Sequence, residues 1–260
     1  MQFNELIETI ADCKVRVMRK GTGEPLVYLH GGGASSQWLP FMESLSQSFD
    51  MIAPEHPGFG MSDMPGWLDN MGDLAYYYLD FFEHFDLENV HLVGTSLGGW
   101  AALEIALRNQ SRLKSLTLVS PAGIDLPDVP KANVFLWSPE ETVRGLFHSE
   151  ELAKAILSRP VPEDEQDRAI KSAVAAARIG WQPPLYNPHL AKWLHRITVP
   201  THIVWGEYDK VIPPAYGPAF QKLIKGSELT TIANSGHVPQ VECENEFVEA
   251  VTSFIGGIAS

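Results

Sequence analysis

The sequence predicts an α/β protein, with a mostly parallel central sheet, helices on both faces and one helical insertion. The first observation is a regular alternation of apolar, strand-like runs and helical stretches as far as Pro121, which is typical of a parallel sheet. The second is a segment, 122–194, in which we find no convincing strand. The third is a glycine-flanked serine at a strand-to-helix turn, residues 94–98.

The elements of the first part of the core, residues 1–121, follow from local patterns. Alternating polar and apolar residues over 14–19 predict a half-buried strand, and the apolar run over 25–30 predicts a buried one. Aromatic residues and leucines at helical spacing over 71–85 predict a helix that packs in the core. The other expected elements are a helix over 36–48, strands over 49–54 and up to Thr95, a helix ending near Asn109 and a strand over 113–119.

The insertion and the second part of the core complete the predicted organisation. Turn residues after Ala122 lead into helical stretches, and prolines near its end close the segment, so we expect a helical cap over 122–194. Alternation resumes in the second part of the core, 195–260. Its expected elements are a strand over 201–205, a helix near 214–224, a strand near 228–232 and a helix over about 240–255, with Glu242 and Glu244 at the exposed start of that last helix.

Length, composition and charge limit the kinds of partner. A chain of 260 residues with 45% hydrophobic and 20% charged residues suits one large globular domain with an insertion. The net charge of −13 disfavours nucleic acid and anionic membranes, which select basic patches. Two cysteines fit a reducing compartment, and we recognise no signal peptide or membrane-spanning run. We therefore expect a cytoplasmic protein with a small-molecule substrate, and neither nucleic acid nor membrane as partner.

Ser96 has the sequence context of a catalytic nucleophile. It stands in Gly94-Thr-Ser-Leu-Gly98, after a predicted strand and before a predicted helix. A tight turn there exposes the hydroxyl but tolerates only small residues at the two flanking positions. The start of the helix adds free N–H groups and a positive dipole end, which favour an oxyanion.

A serine nucleophile needs a base and a carboxylate that orients it. Gly206-Glu-Tyr-Asp209 follows one predicted strand, and Asn234-Ser-Gly-His237 follows the last one. We therefore expect Asp209 as the acid and His237 as the base. Glu207, in the same loop, and Asp125, after the strand that follows the nucleophile helix, are the alternative acids.

Together these segments resemble the α/β-hydrolase superfamily with a helical cap, over essentially the whole chain. The matching segments are His30-Gly-Gly-Gly33, Pro57-Gly-Phe-Gly60, Gly94-Thr-Ser-Leu-Gly98, Gly206-Glu-Tyr-Asp209 and Gly236-His-Val-Pro239. The resemblance implies that Ser96 is the nucleophile, that His237 is the general acid and base, and that Asp209 orients it. It further implies an oxyanion hole from the backbone amides of Leu97 and Gly32, with Gly33 as the alternative to Gly32. We expect His30 to anchor that loop, and neither a metal nor a cofactor.

The expected reaction is hydrolysis of a carboxylic ester through an acyl-enzyme. Meta-cleavage-product hydrolases, which break carbon–carbon bonds, share the glycine run and a Pro121-Ala-Gly123 segment. They usually carry asparagine before the serine and tryptophan after the histidine, where this chain has Thr95 and Val238. Two further alternatives are a receptor that keeps the triad and a dinucleotide-binding loop formed by 31–36 with Glu55.

Substrate contacts are expected from the cap and from the glycine loop. We predict Gly33 and Trp38 beside the oxyanion hole, and Trp137 and Phe147 over Ser96. The alternative is that the cap residues only pack the cap onto the core. Other apolar candidates in the cap are Phe135, Leu136, Leu146, Ile156 and Trp181. A fairly apolar substrate is therefore expected.

Overall fold

The computed structural model describes residues 2–33 and 37–258 and contains an eight-stranded sheet. Its strands are β1 (Asn4–Ile10), β2 (Cys13–Lys20), β3 (Pro25–Leu29), β4 (Asp50–Pro54), β5 (Val90–Thr95), β6 (Leu113–Val119), β7 (Thr201–Gly206) and β8 (Glu228–Ile232). The strand order is β1-β2-β4-β3-β5-β6-β7-β8. Pairing is antiparallel around β2 and parallel from β4 to β8. The predicted fold class is therefore confirmed.

Helices lie between the strands and cover both faces of the sheet. They are α1 (Pro40–Leu45), α2 (Met71–His84), α3 (Leu97–Arg108), α4 (Pro139–Leu146), α5 (Glu150–Ser158), α6 (Glu163–Gly180), α7 (Tyr216–Leu223), α8 (Pro239–Glu242) and α9 (Glu244–Gly256), with short 3₁₀ helices at Val134–Leu136 and Ala191–Arg196. Because side chains alternate along a strand, Val27 joins the core cluster under α2 and α3, whereas Tyr28 joins the cluster under α1 and α9.

Helix α2 is the element that the spacing of aromatic residues and leucines over 71–85 predicted. Asn70 caps its first turn and exchanges hydrogen bonds with Asp73, which fixes where the helix begins. Its apolar face is buried in the core through Leu74, Tyr77, Tyr78, Phe81 and Phe82. The prediction of a helix over 71–85 is therefore confirmed.

The structure differs from the sequence expectations in two places. The edge strand β1 was not predicted, and four of its seven residues are exposed. The helix expected over 36–48 is reduced to α1, because Leu39 is extended and Pro40 begins the helix. Residue 36, the first of that expected helix, lies outside the described part of the chain.

The segment 122–194 lies between β6 and β7 and is mainly helical, apart from one bridge between Gly123 and Tyr186. We call residues 122–194 the helical segment. It is attached to the core through α6, whose Ser172 hydroxyl accepts a hydrogen bond of 3.1 Å from Gly60 N. The domain boundaries at 121 and 194, and a cytoplasmic location, stay predictions. Within the described residues, no helix is long and apolar enough to cross a membrane.

Candidate active site

Ser96 occupies a strained turn between β5 and α3. Its φ of 53° and ψ of −113° lie in a region that residues with a side chain rarely adopt. Backbone hydrogen bonds hold it there: Ser96 N donates to Val119 O at 2.9 Å, and Ser96 O accepts from Trp100 N and Ala122 N, each at 3.0 Å. The turn presents a partly exposed serine at the carboxyl end of β5.

The flanking glycines are required by close backbone contacts. A Cβ at Gly94 would lie 2.4 Å from Gly98 O, and a Cβ at Gly98 would lie 2.2 Å from Leu29 O. Any larger residue would therefore force the strand and the helix apart. This geometry agrees with the requirement for small residues that the sequence indicates.

Asp209 and His237 form a buried pair after β7 and β8. The ring Nδ1–H of His237 donates to Asp209 Oδ2 at 2.7 Å, and the side chains are 2% and 0% exposed, respectively. The other oxygen, Asp209 Oδ1, accepts from Val211 N at 2.8 Å and Ile212 N at 3.0 Å. The carboxylate is thus fixed by its own loop, and it assigns the proton to Nδ1, which leaves Nε2 as the basic nitrogen.

The alternative acids are engaged elsewhere. Glu207 accepts from Asn234 N at 3.2 Å and thereby supports the turn before His237. Asp125 forms an ion pair of 2.7 Å with Lys131. Neither carboxylate is bonded to the His237 ring, whereas Asp209 is.

The loops that carry Asp209 and His237 are packed backbone to backbone. A Cβ at Gly206 would lie 1.8 Å from Gly236 O. In addition, Tyr208 N donates to Ser235 O at 2.8 Å and Glu207 N donates to Ile232 O at 3.0 Å. Because β5, β7 and β8 run parallel, the loop with Ser96 emerges at the same edge of the sheet as these two.

The glycine run after β3 lies against the serine. A Cβ at Gly31 would be 3.4 Å from Ser96 Cβ. Leu97 is the first residue of α3, and an N–H in the first turn has no intrahelical acceptor. Two N–H groups are therefore candidates for binding an oxyanion: that of Leu97 and that of Gly32, which follows Gly31 in the glycine run. Gly33 follows in the same run, and its position is open.

Two buried histidines and a tyrosine fix the orientation of this run. His56 N donates to His30 Nε2 at 2.9 Å, so the proton of the neutral His30 ring is on Nδ1, which donates to Gly31 O at 2.7 Å. His56 Nε2 donates to His30 O at 2.8 Å, and the Tyr78 hydroxyl donates to His56 Nδ1 at 2.5 Å. In a trans peptide the Gly31 carbonyl and the Gly32 N–H point in opposite directions. Because the His30 ring holds the Gly31 carbonyl, the direction of the Gly32 N–H is fixed as well.

Both rings are neutral at neutral pH. Complete burial lowers the pKa of His30 to about 4. Burial, together with the neighbouring His30, lowers the pKa of His56 well below its usual value. Neutral rings are what the donor and acceptor pattern requires, and the expectation that His30 anchors this loop agrees with its contacts.

The substrate residues expected from the sequence do not form one group. Phe147 lies between Leu146 and His148, both of which contact the His237 loop. Trp137 instead packs on α4, where a Cβ at Gly145 would lie 2.3 Å from its ring. Leu136 is 70% exposed.

The expectation for Trp38 was wrong. Its ring stacks on Phe3, and its Nε1–H donates at 2.9 Å to Glu43, which also pairs with Lys20. Lys20 is in register with Met51 near the start of β4. Trp38 therefore lies towards the end of the sheet opposite Ser96.

The sequence reasoning missed the residues of α6 that approach the site. A Cβ at Gly32 would lie 3.8 Å from Ala176 Cβ, and a Cβ at Gly180 would lie 3.5 Å from Leu97 Cδ1 and 3.6 Å from Phe135 Cζ. Small residues in a helix give no strong signal of a site. The dinucleotide alternative has no support in these contacts: Glu55 is buried and pairs with Arg16, and Ser36 lies outside the described residues.

Comparisons with known proteins agree with the fold. The family model of the alpha/beta hydrolase fold matches residues 24–243. The dihydrolipoyllysine-residue acetyltransferase component of the acetoin cleaving system of Cupriavidus necator is 28% identical over 94% of this chain and 67% of that protein. The 2-hydroxy-6-oxo-2,4-heptadienoate hydrolase of Pseudomonas putida is 28% identical over 90% of each chain. A crystal structure of a membrane phospholipase A, a bacterial virulence factor, superposes with a TM-score of 0.83 at 25% identity over 98% of this chain and 86% of that one. The chain belongs to the alpha/beta hydrolase fold family.

Proposed function

We propose that the protein is a serine hydrolase that cleaves a small, fairly apolar carboxylic ester through an acyl-enzyme. The observation that carries this proposal is the buried 2.7 Å hydrogen bond from His237 Nδ1 to Asp209 Oδ2, at the sheet edge where the strained turn presents Ser96. Nucleophile, base and orienting acid are the groups that acyl transfer to serine requires.

In the acylation step, Ser96 Oγ attacks the ester carbonyl carbon while its proton passes to His237 Nε2. The N–H groups of Gly32 and Leu97 stabilise the oxyanion that forms. As the tetrahedral intermediate collapses, the bond between the carbonyl carbon and the alcohol oxygen breaks. His237 returns the proton to that oxygen, and an acyl-serine remains.

In the deacylation step, water takes the place of the alcohol. His237 accepts a proton from the water, whose oxygen attacks the acyl carbon, and then returns the proton to Ser96 Oγ as the carboxylic acid leaves. Asp209 stabilises the imidazolium that exists in both steps, because its carboxylate is fixed by two backbone N–H groups and has no freedom to turn away.

The test is a panel of short-chain aryl esters assayed with wild type, Ser96→Ala and Ser253→Ala. Ser253 is an exposed serine of α9 and controls for the loss of a hydroxyl. We expect kcat/KM to fall by about 10⁴-fold or more in Ser96→Ala and to stay unchanged in Ser253→Ala. A phosphonate probe should leave one adduct on the intact mass of wild type and none on Ser96→Ala. Ester turnover by Ser96→Ala at the wild-type rate would refute the proposal.

Carbon–carbon bond hydrolysis is the second candidate. It is favoured by the relative from Pseudomonas putida, which matches 90% of each chain and is named for a 2-hydroxy-6-oxo-dienoate substrate. Against it stand Thr95 and Val238, in place of the asparagine and tryptophan usual in those enzymes. A dienoate of that type, added to the ester panel, separates the two reactions, and we expect the ester to be the better substrate.

A further inference from the structure

Glu242, at the end of α8, binds backbone groups from two separate parts of the chain. Its Oε2 accepts from Gly236 N at 2.5 Å, immediately before His237. Its Oε1 accepts from His148 N and Ser149 N, each at 2.8 Å. The expectation that Glu242 lies at the exposed start of the last helix was therefore wrong. One carboxylate connects the loop of the proposed base to the helical segment between α4 and α5.

A second contact joins the same two parts of the chain. His237 N donates to Leu146 O at 2.8 Å, so the backbone of the base itself is hydrogen-bonded to the end of α4. A Cβ at Gly236 would lie 2.6 Å from Leu146 O and 2.8 Å from His148 N. The loop and the helical segment are thus in direct backbone contact, and neither can shift without the other or without breaking these bonds.

The contacts require a carboxylate rather than an amide. Three N–H groups point at two oxygens, and two of those groups directly precede α5, whose N-cap is Ser149. Negative charge is favoured beside the start of a helix. In a glutamine, one of the two oxygens becomes an NH₂ group, which cannot accept from an N–H. Either the Gly236 bond or the pair of bonds to the helical segment would then be lost.

We propose that Glu242 is a positioning residue that couples the placement of the helical segment to the placement of His237. The proposal rests on the proposed function, because it takes His237 to be the base. While residues 146–149 contact Glu242 and His237 N, the backbone at 236–237 is fixed by hydrogen bonds. The His237 ring then keeps its hydrogen bond to Asp209. When residues 146–149 move away from the core, His237 N loses its acceptor, Leu146 O, and Glu242 loses the two N–H groups that hold it beside Gly236. The base is therefore aligned only with the helical segment in place.

The kinetic test compares Glu242→Gln with Glu246→Gln. Both remove one negative charge, but Glu246 is exposed on α9. We expect kcat for an aryl ester to fall about tenfold to a hundredfold in Glu242→Gln, because small misplacements of a catalytic group cost this much. KM should stay within about twofold, and Glu246→Gln should match wild type. Glu242→Asp, which keeps the charge but is one methylene shorter, should change kcat in the same direction to a smaller extent and serves if the glutamine variant does not fold.

A second measurement does not depend on turnover. Backbone amide exchange should quicken both at 146–149 and at 236–237 in Glu242→Gln, and the NMR signal of the His237 Nδ1 proton should broaden. Unchanged exchange at 146–149 in a folded variant would overturn the coupling, as would an equal loss of kcat in both glutamine variants. If wild type hydrolysed no ester but exchange changed as expected, the proposed function would fail and the coupling would stand.

Discussion

Tyr78 shows how a residue far from the substrate can support the oxyanion loop. Its hydroxyl satisfies His56 Nδ1, His56 binds both the carbonyl and the ring of His30, and the His30 ring holds the Gly31 carbonyl. The side chains of Tyr78, His56 and His30 are buried, so a bond left unmade between them is costly. The peptide that carries the Gly32 N–H is therefore held by a series of side chains that ends on α2.

Removal of this hydroxyl tests the series. Tyr78→Phe leaves His56 Nδ1 without its donor, so the free energy of unfolding should fall by about 1–3 kcal/mol, measured by urea denaturation. The ester kcat should fall as the Gly32 N–H loses its fixed direction. Tyr77→Phe is the matched control, because the buried Tyr77 hydroxyl has no hydrogen-bond partner in the part of the chain that the structure describes. Equal effects of the two variants would contradict the role given to Tyr78.

At the scale of elements, the unit of β5, the turn and α3 depends on backbone approaches that only glycine permits. Gly98 lies against the Leu29 carbonyl, and Gly99 lies against Pro121, where a Cβ would be 2.8 Å from the proline Cβ. The backbone strain at Ser96 is offset by its hydrogen bonds to Val119 in β6, to Ala122 after β6 and to Trp100 in α3. The turn is thus maintained by the neighbouring strands and not by its own sequence alone.

A single methyl group should therefore disrupt this unit. Gly98→Ala would place its Cβ 2.2 Å from Leu29 O, which is backbone and cannot turn aside. We expect a fall of the melting temperature by about 2–12 °C, or no folded protein, since overpacking of a core costs about 1–3 kcal/mol or more and each kcal/mol lowers the melting temperature of a domain of this size by about 2–4 °C. Gly256→Ala, at the end of α9 where a Cβ meets nothing within 4 Å, is the control and should be neutral or slightly stabilising. A Gly98→Ala protein as stable as wild type would show that the turn relaxes freely.

The elements that were predicted well are those whose signal is local. The periodicity of α2 and the glycine-flanked Ser96 are contained in short windows, and the loops with Asp209 and His237 each follow an apolar strand. The role of Glu242 depends on contacts with residues 93 and 94 positions earlier in the chain, which no short window contains. Trp38 was misplaced because a lone tryptophan near a motif does not reveal which end of the sheet it covers.

At the scale of the whole molecule, burial of neutral histidines makes stability depend on pH. Burial lowers the pKa of His30 and of His202 to about 4, below the ordinary value of about 6.5. Between these values the unfolded chain binds protons that the folded chain does not. The stabilising contribution is therefore complete above about pH 6.5 and is lost as the pH falls towards 4.

Urea denaturation from pH 7 to pH 4 should show this loss. Replacement of His202 by phenylalanine should make the fall of the unfolding free energy shallower by about 2–3 kcal/mol, since one unit of pKa corresponds to about 1.4 kcal/mol. Phenylalanine can keep the ring contact with Phe254. His195→Gln, at an exposed position, should leave the pH profile unchanged. Parallel profiles for all three proteins would exclude His202 as a source of acid lability.

The contact between Gly206 and Gly236 limits which sequence changes the loops after β7 and β8 can accept. The backbone after β7 touches the backbone after β8 with no space for a single carbon between them. An insertion or a foreign sequence in either loop must therefore be matched in the other. A chimaera that takes one of these loops from a relative has to take both, although the two glycines are 30 positions apart in the sequence.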